Sequence, residues 1–285
     1  MTIHHLDCAG MCTVGGRALL GHGGLLTSRI VAHCLLIETG GGLVLVDTGL
    51  GTEDVADPRR LGPALRASIR PQLSLARTAL HQVRALGHNP SDVRHIVLTH
   101  LDLDHAGGLG DFPDAQVHVF ADELRAATAR ATRRERTRYR PAQWSHNPRW
   151  VEHETAGDAW FGFAAARPVA ESVPGVVLIP LQGHTRGHCG IAVRHSSGWL
   201  LHCGDSYFSH TEVDTDSPRC PPGFTAFQRI VAHDNPVRIH NQQRLRELRR
   251  HHGAEVELFC AHDPYEFERL RTRRQFSHRP DGSGS

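Results

Sequence analysis

The ten residues from Thr99 to Gly108, THLDLDHAGG, constrain the fold of this chain more than any other stretch. Two imidazoles and two carboxylates fall within positions 100–105, directly after the apolar run VRHIVLT (93–99), which reads as a buried strand running into a loop. A first-row metal ion needs several nitrogen or oxygen donors converging at about 2.0–2.2 Å. Alternate residues of an extended strand end project to one side, so His100, Asp102 and Asp104 share a direction, and the following turn adds His105. Gly107 and Gly108 let backbone pack closely beneath. Such a chain has to end a buried strand at an open edge and bring further donors to that edge.

Three more segments each offer one donor at the end of an apolar run: His184 in LQGHTRGH (181–188), Asp205 in LLHCGDSYF (200–208) and His262 in LFCAHDPYEF (258–267). Strand ends of one sandwich can meet along one edge. Seven donors suit two metal ions that share a bridging carboxylate and a bridging water.

The rest of the chain reads as two strand-rich halves. HCLLIETGGGLVLVDTG (33–49) is two apolar strands around a glycine turn. A helix is expected over 74–87, strands over 93–100 and 115–122, and a helix over 122–136. In the second half, 175–181, 190–195, 198–205 and 255–263 read as strands, with a helix over 241–252. A sheet-on-sheet core with helices outside accommodates this order. We expect a single domain over 1–272 and a disordered tail over 273–285, where RTRRQFSHRPDGSGS is polar and broken by Pro, Gly and Ser. Residues 122–165 read as a helical, aromatic-rich insertion: seven arginines lie from Arg125 to Arg140, and Trp144, Trp150, Trp160, Phe161 and Phe163 follow. It is either a solvated helix face with a packed cap or a lid whose aromatics wall the site, and it could equally serve a homodimer interface.

Composition sets the broad class. All basic residues are arginine, and a formal charge of +2 gives no field that calls for nucleic acid. No apolar run approaches the ~18 residues of a membrane span, so a cytoplasmic protein is expected. The seven cysteines (Cys8, Cys12, Cys34, Cys189, Cys203, Cys220, Cys260) lack framework spacing and read as reduced thiols, Cys8 and Cys12 included.

From Val31 to Phe267 the chain resembles the metallo-β-lactamase superfamily, in the order LVLVDTG, THLDLDHAGG, GHTRGH, GDSYF, AHD. Within it the last three segments are most similar to the N-acyl homoserine lactonase group. The resemblance implies an α/β fold, the αββα sandwich of two mixed sheets with helices on the outer faces. It also implies His100 and His184 on a first metal, Asp104, His105 and His262 on a second, Asp205 bridging, and Asp47 holding a ligand from behind. Asp102 departs from the family's H-x-H-x-D-H. Either a ligand has been lost, or the carboxylate replaces imidazole; in the second case three carboxylates and a bridging hydroxide neutralise two divalent cations. Oxygen donors tilt preference from zinc, the first choice, toward manganese or iron. A glutamate at this position occurs in the flavodiiron branch. His188 is expected to orient backbone, and His202, Cys203, His118, His233 and His252 to be structural.

The expected activity is hydrolysis of a small-molecule lactone or related carboxylic ester by a metal-bridging hydroxide, with Asp104 and Asp205 catalytic. The lactonase group carries a tyrosine three residues after the bridging aspartate. Phe208 stands there, so Tyr207, one residue earlier, is the candidate carbonyl contact. A phosphodiesterase or nuclease, a thioesterase, a di-iron oxidoreductase and a non-enzymatic module are the alternatives.

Overall fold

The computed structural model describes residues 1–276, apart from the side chains of residues 64 and 273–276. The first half contributes β1 (Thr2–Asp7), β2 (Met11–Val14), α1 (Gly16–Leu20), β3 (Thr27–Ile30), β4 (His33–Thr39), β5 (Gly42–Val46), α2 (Thr52–Ala56) and α3 (Pro63–Ile69). After them come α4 (Ala79–Ala85), β6 (Val93–Val97), α5 (Leu103–Ala106), β7 (Gln116–Phe120), α6 (Ala121–Ala129), α7 (Arg133–Arg138) and β8 (Arg149–His153). The second half holds β9 (Asp158–Trp160), β10 (Phe163–Pro168), β11 (Val176–Pro180), β12 (Cys189–His195) and β13 (Gly198–His202). It ends with α8 (Pro222–Val231), α9 (Asn235–His252), β14 (Val256–Phe259) and α10 (Pro264–Phe276).

Each half builds one mixed sheet. The first runs β1-β4-β5-β6-β7-β8 and the second β14-β13-β12-β11-β10-β9, while β2 and β3 form a separate hairpin. Alternation along the strands assigns the layers. Leu35, Ile37, Val44, Val46 and Val97 meet Leu178, Ile191 and Leu200 between the sheets. Their neighbours Leu36, Leu45 and Ile96 face out onto Val83 of α4, and on the far side Ile179 and Leu201 face Leu245 and Leu248 of α9. Strands buried on both faces explain the unbroken apolar runs, and the layering is the expected αββα sandwich. No helix among the described residues is long and apolar enough to cross a membrane. All seven cysteines are free.

Several local expectations change. The helix expected over 74–87 is a short 3-10 turn at Leu75–Arg77 and then α4, whose N-terminus Thr78 caps by accepting from the His81 amide. The helix expected over 122–136 breaks at Arg130, which adopts φ 44, and restarts from a Thr132–Glu135 capping box. Residues 122–165, expected as a helical, aromatic-rich insertion, are joined to both sheets. They supply β8, which pairs in parallel with β7 and closes the first sheet, and β9, which edges the second. Of the two readings of the segment's aromatics, packing is the one found: Trp144 and Trp150 lie against the outer core of the first sheet, and Trp160, Phe161 and Phe163 against that of the second. Residues 273–276 of the tail expected to be disordered belong instead to α10, which is anchored by buried Phe267 and Leu270 and continues to Phe276. Residues 277–285 of that tail lie outside the described residues.

Candidate metal centre

Register places the donors. β5 and β6 run parallel with Val46 opposite Val97, so the turns beginning at Asp47 and Leu98 leave the sheet side by side. In the other sheet β13 and β14 run parallel with His202 opposite Phe259. Asp205 and His262 each lie three residues past those paired ends, and the Ala261 amide donates to the Gly204 carbonyl at 3.0 Å, so the two turns stay together. The sheets join at this edge where the Cys189 amide donates to the Thr99 carbonyl at 2.9 Å.

Asp47 locks the 99–105 loop. With φ 53, a left-handed conformation, it accepts from the Thr99 amide at 2.8 Å, the Thr99 hydroxyl at 2.7 Å and His105 Nδ1 at 2.8 Å. Burial alone would raise its carboxyl, but the His105 imidazole beside it holds it below the usual carboxylate range. A hydrogen bond on Nδ1 turns the other ring nitrogen toward the centre. His262 is held the same way, with Nδ1 2.7 Å from the Val31 carbonyl.

The seven sequence-selected donors come together in two groups. In the first, Asp102 Oδ2 lies 3.4 Å from His100 Nε2 and 3.0 Å from His184 Nε2, and Asp205 Oδ2 lies 3.9 and 3.4 Å from the same two nitrogens. In the second, Asp205 Oδ1 lies 3.3 Å from His105 Nε2 and 3.1 Å from His262 Nε2, which is 3.7 Å from Asp104 Oδ2. Tetrahedral coordination at about 2.0–2.1 Å implies donor–donor edges of about 3.3 Å, close to these spacings. Three donor atoms at the centre, His100 Nε2, His105 Nε2 and Asp205 Oδ1, are buried without a hydrogen-bond partner. Buried polar atoms are seldom left so. His105 and His262 give a second sign: burial should depress both imidazoles, yet Asp205 and its neighbouring carboxylates raise them. The carboxylates thus ask for positive charge, and the donor set fits divalent cations.

The other histidines behave as supports. His188 is fully buried, its Nδ1 2.8 Å from the Leu181 carbonyl, while its Nε2 accepts from the Asp205 amide at 2.9 Å. His202 joins the His33 carbonyl to the Gly204 amide. Cys203 packs with the outer core of the second sheet, and His118 sits between His95 and His153 in a chain of ring contacts at 2.9 and 3.0 Å. His252 pairs with Glu255, and the His233 amide donates to the His184 carbonyl.

Tyr207 is a correction. Its side chain is wholly buried in the outer core of the second sheet, and its hydroxyl donates to Glu266 at 3.1 Å, so it faces away from the donors and can touch no substrate. Phe208, one residue on, takes the opposite direction and stacks on the His262 ring with centroids 5.0 Å apart. Two further supports escaped the sequence. Buried Glu123 accepts from the Leu101 and Gly187 amides at 3.0 and 2.9 Å, tying together two donor loops; Arg138 approaches Asp102 Oδ1 at 3.2 Å. Neither belongs to a recognisable motif.

The donors open into a cavity of about 810 Å³, with Asp102, Asp104, His184, Asp205 and His262 on its wall. Its other walls are mainly apolar and come from the β2–β3 hairpin, α1, α3, α7, α8 and the turn after β13, including Ile30, Leu65, Phe208, Phe224 and Phe227. The 122–165 segment contributes Arg133, Arg134, Thr137 and Arg138 of α7 to the wall, and none of its aromatic residues.

Known proteins agree with this architecture. A probable metallo-hydrolase of Mycobacterium tuberculosis is 44% identical over 262 residues, covering 92% of this chain and 80% of that protein. An N-acyl homoserine lactonase of a Bacillus species is 24% identical, over 82% of this chain and 85% of that protein. Among solved structures, an N-acyl homoserine lactone hydrolase with N-hexanoyl-L-homoserine at its catalytic metal center aligns with a TM-score of 0.68 at 21% identity, covering 99% of this chain and 97% of that one. A dizinc quorum-quenching lactonase gives 0.61 at 15% identity, over 92% and 87%. The family model described as the metallo-beta-lactamase superfamily matches residues 28–247, from β3 into α9, a span that holds six of the seven donors. The chain is a metallo-hydrolase and belongs to the metallo-beta-lactamase superfamily.

Proposed function

We propose that His100, Asp102, His184 and Asp205 hold one divalent cation, that Asp104, His105, His262 and Asp205 hold a second, and that the chain hydrolyses a lactone or related carboxylic ester. The observation that carries this reading is Asp205, whose Oδ2 faces one donor group and whose Oδ1 faces the other at the floor of a largely apolar cavity. When bound, two such ions acidify water and polarise a carbonyl oxygen. Zinc is the first choice, and manganese or iron the alternatives that the oxygen donors favour.

The chain's own residues supply the rest. Asp104 and Asp102 both border the cavity and are more exposed than the four histidines; Asp102 is paired with Arg138, and Asp104 is assigned to carry a proton toward a departing alkoxide. His188 fixes the Asp205 backbone, and Asp47 fixes His105. Phe208 and the apolar walls hold the hydrocarbon part of the substrate and exclude water around the carbonyl. The lactonase relatives support a lactone in particular. Arg133 and Arg134 on the same cavity wall favour a phosphodiester as the second reading.

The test is proton release on a panel of acyl homoserine lactones, simple lactones, thioesters and phosphodiesters, with protein loaded separately with zinc, manganese and iron. Lactone turnover that is lost in Asp104→Ala is the expected result. A fully loaded protein that turns over only phosphodiesters would replace the first reading with the second.

A further inference from the structure

The carboxylate at position 102 has a partner that its sequence neighbourhood does not contain. Arg138, the last residue of α7, brings Nε to 3.2 Å from Asp102 Oδ1. Its other two nitrogens donate to the His184 carbonyl at 2.7 Å and the Val231 carbonyl at 2.6 Å. One guanidinium thus touches the loop after β6, the loop between β11 and β12, and the end of α8. The pair is well covered, with side-chain exposures of 11% for Arg138 and 18% for Asp102, so water screens the charges only in part.

The two oxygens of Asp102 are divided: Oδ1 turns to the guanidinium, and Oδ2 to His184 and His100. The division bears on charge as well as geometry. The histidine that the family resemblance leads one to expect at this position would be neutral. Aspartate adds a negative charge, Arg138 adds a positive one, and together they present an oxygen donor at the net charge of an imidazole.

We propose that Arg138 is a positioning residue matched to Asp102, one that clamps Oδ1 so that only Oδ2 serves the cation and that offsets the carboxylate's charge. This rests on the reading that His100, Asp102, His184 and Asp205 hold a divalent ion. The competing account makes Arg138 a brace for the His184 and Val231 carbonyls, indifferent to residue 102. The accounts differ in how Arg138 and residue 102 combine. A guanidinium that has lost its carboxylate faces a cation with nothing between them, and its presence then harms binding.

The experiment is a double-substitution cycle read by zinc affinity, from competition with a chromophoric chelator, and by bound zinc per chain. Arg138→Leu should weaken zinc binding roughly tenfold in the native background, the scale for partners that orient a metal ligand. In the Asp102→His background the same change should tighten binding. Arg138→Lys, which keeps the charge and gives up the fork, should stay within about threefold of the native protein on that same scale. Equal weakening by Arg138→Leu in both backgrounds, or a lysine variant as weak as the leucine one, would overturn the proposal in favour of the brace. Native protein that binds no zinc, manganese or iron would overturn the metal reading itself, and this proposal with it.

Discussion

Glu266 offers a test of the structure that is independent of the metal. It is buried, accepts from the Tyr207 hydroxyl at 3.1 Å and the Cys260 amide at 2.8 Å, and the charge of Arg269 does not offset burial. Burial first, and the neighbouring Asp263 carboxylate second, push its carboxyl from 4.5 up to about 7. Because the folded group binds its proton more tightly than the unfolded one, its contribution to stability is complete below about pH 4.5 and is lost as pH rises through about 7. At 1.36 kcal/mol per pKa unit the largest loss is about 3 kcal/mol, of which about 2.5 falls between about pH 5 and pH 8. Other buried groups titrate in that window, so the quantity to measure is a difference. Urea unfolding of native and Glu266→Gln protein, chelated to remove metal, should give curves whose separation shifts by about 2–3 kcal/mol over that range, with the variant gaining relative stability at the alkaline end. A separation that stays constant with pH would mean that Glu266 is already ionised in the fold, and the reasoning from burial would fail.

Four shorter predictions concern other parts of the molecule. His262→Ala should remove about one equivalent of bound metal per chain and abolish ester hydrolysis, measured by metal analysis and proton release; two retained equivalents would refute its place in the second group. His188→Ala should keep both metals but lower metal affinity by about 10–100-fold, because it releases the Asp205 amide; unchanged affinity would show that the loop holds itself. Tyr207→Phe should leave kcat and KM within about twofold and cost about 1 kcal/mol of stability through its lost hydrogen bond, whereas Phe208→Ala should raise KM for long-chain esters. Burial, then His153 and His95, lower His118 to about 3, so its stabilisation is present above about pH 6.5 and is lost toward acid. His118→Leu should accordingly soften the acid limb of the unfolding profile by about 2 kcal/mol between about pH 7 and pH 5.

The sandwich and its donor edge were legible in the sequence because both follow from short-range facts. Donors placed just after apolar strands are carried to a sheet edge by the strands themselves, and the order of the segments told which edge. Tyr207 was misread for an equally local reason: successive residues there point opposite ways, and the motif does not say which of Tyr207 and Phe208 turns inward. The 122–165 segment stayed open between a packed cap and a lid because aromatic composition is the same whether rings line a cavity or pack on a sheet; the pairing of β8 with β7 places Trp150 on the sheet. Arg138 and Glu123 lay beyond sequence reasoning altogether. Each meets its partners across tens of residues, and an arginine among seven in its stretch carries no mark of the one carbonyl-and-carboxylate nook that it fills.

The chain crosses from one sheet to the other once, between β8 and β9, through the exposed residues 154–157. Every strand of the first sheet precedes that turn, and every strand of the second follows it. His100, Asp102, Asp104 and His105 lie before it, and His184, Asp205 and His262 after it. A chain cut in this turn would yield two pieces that each own a whole sheet yet neither a full donor set, so metal capture would report their reassembly. The arrangement is that of a two-part lock: the polypeptide is divisible at its periphery, and the chemistry is shared at the seam.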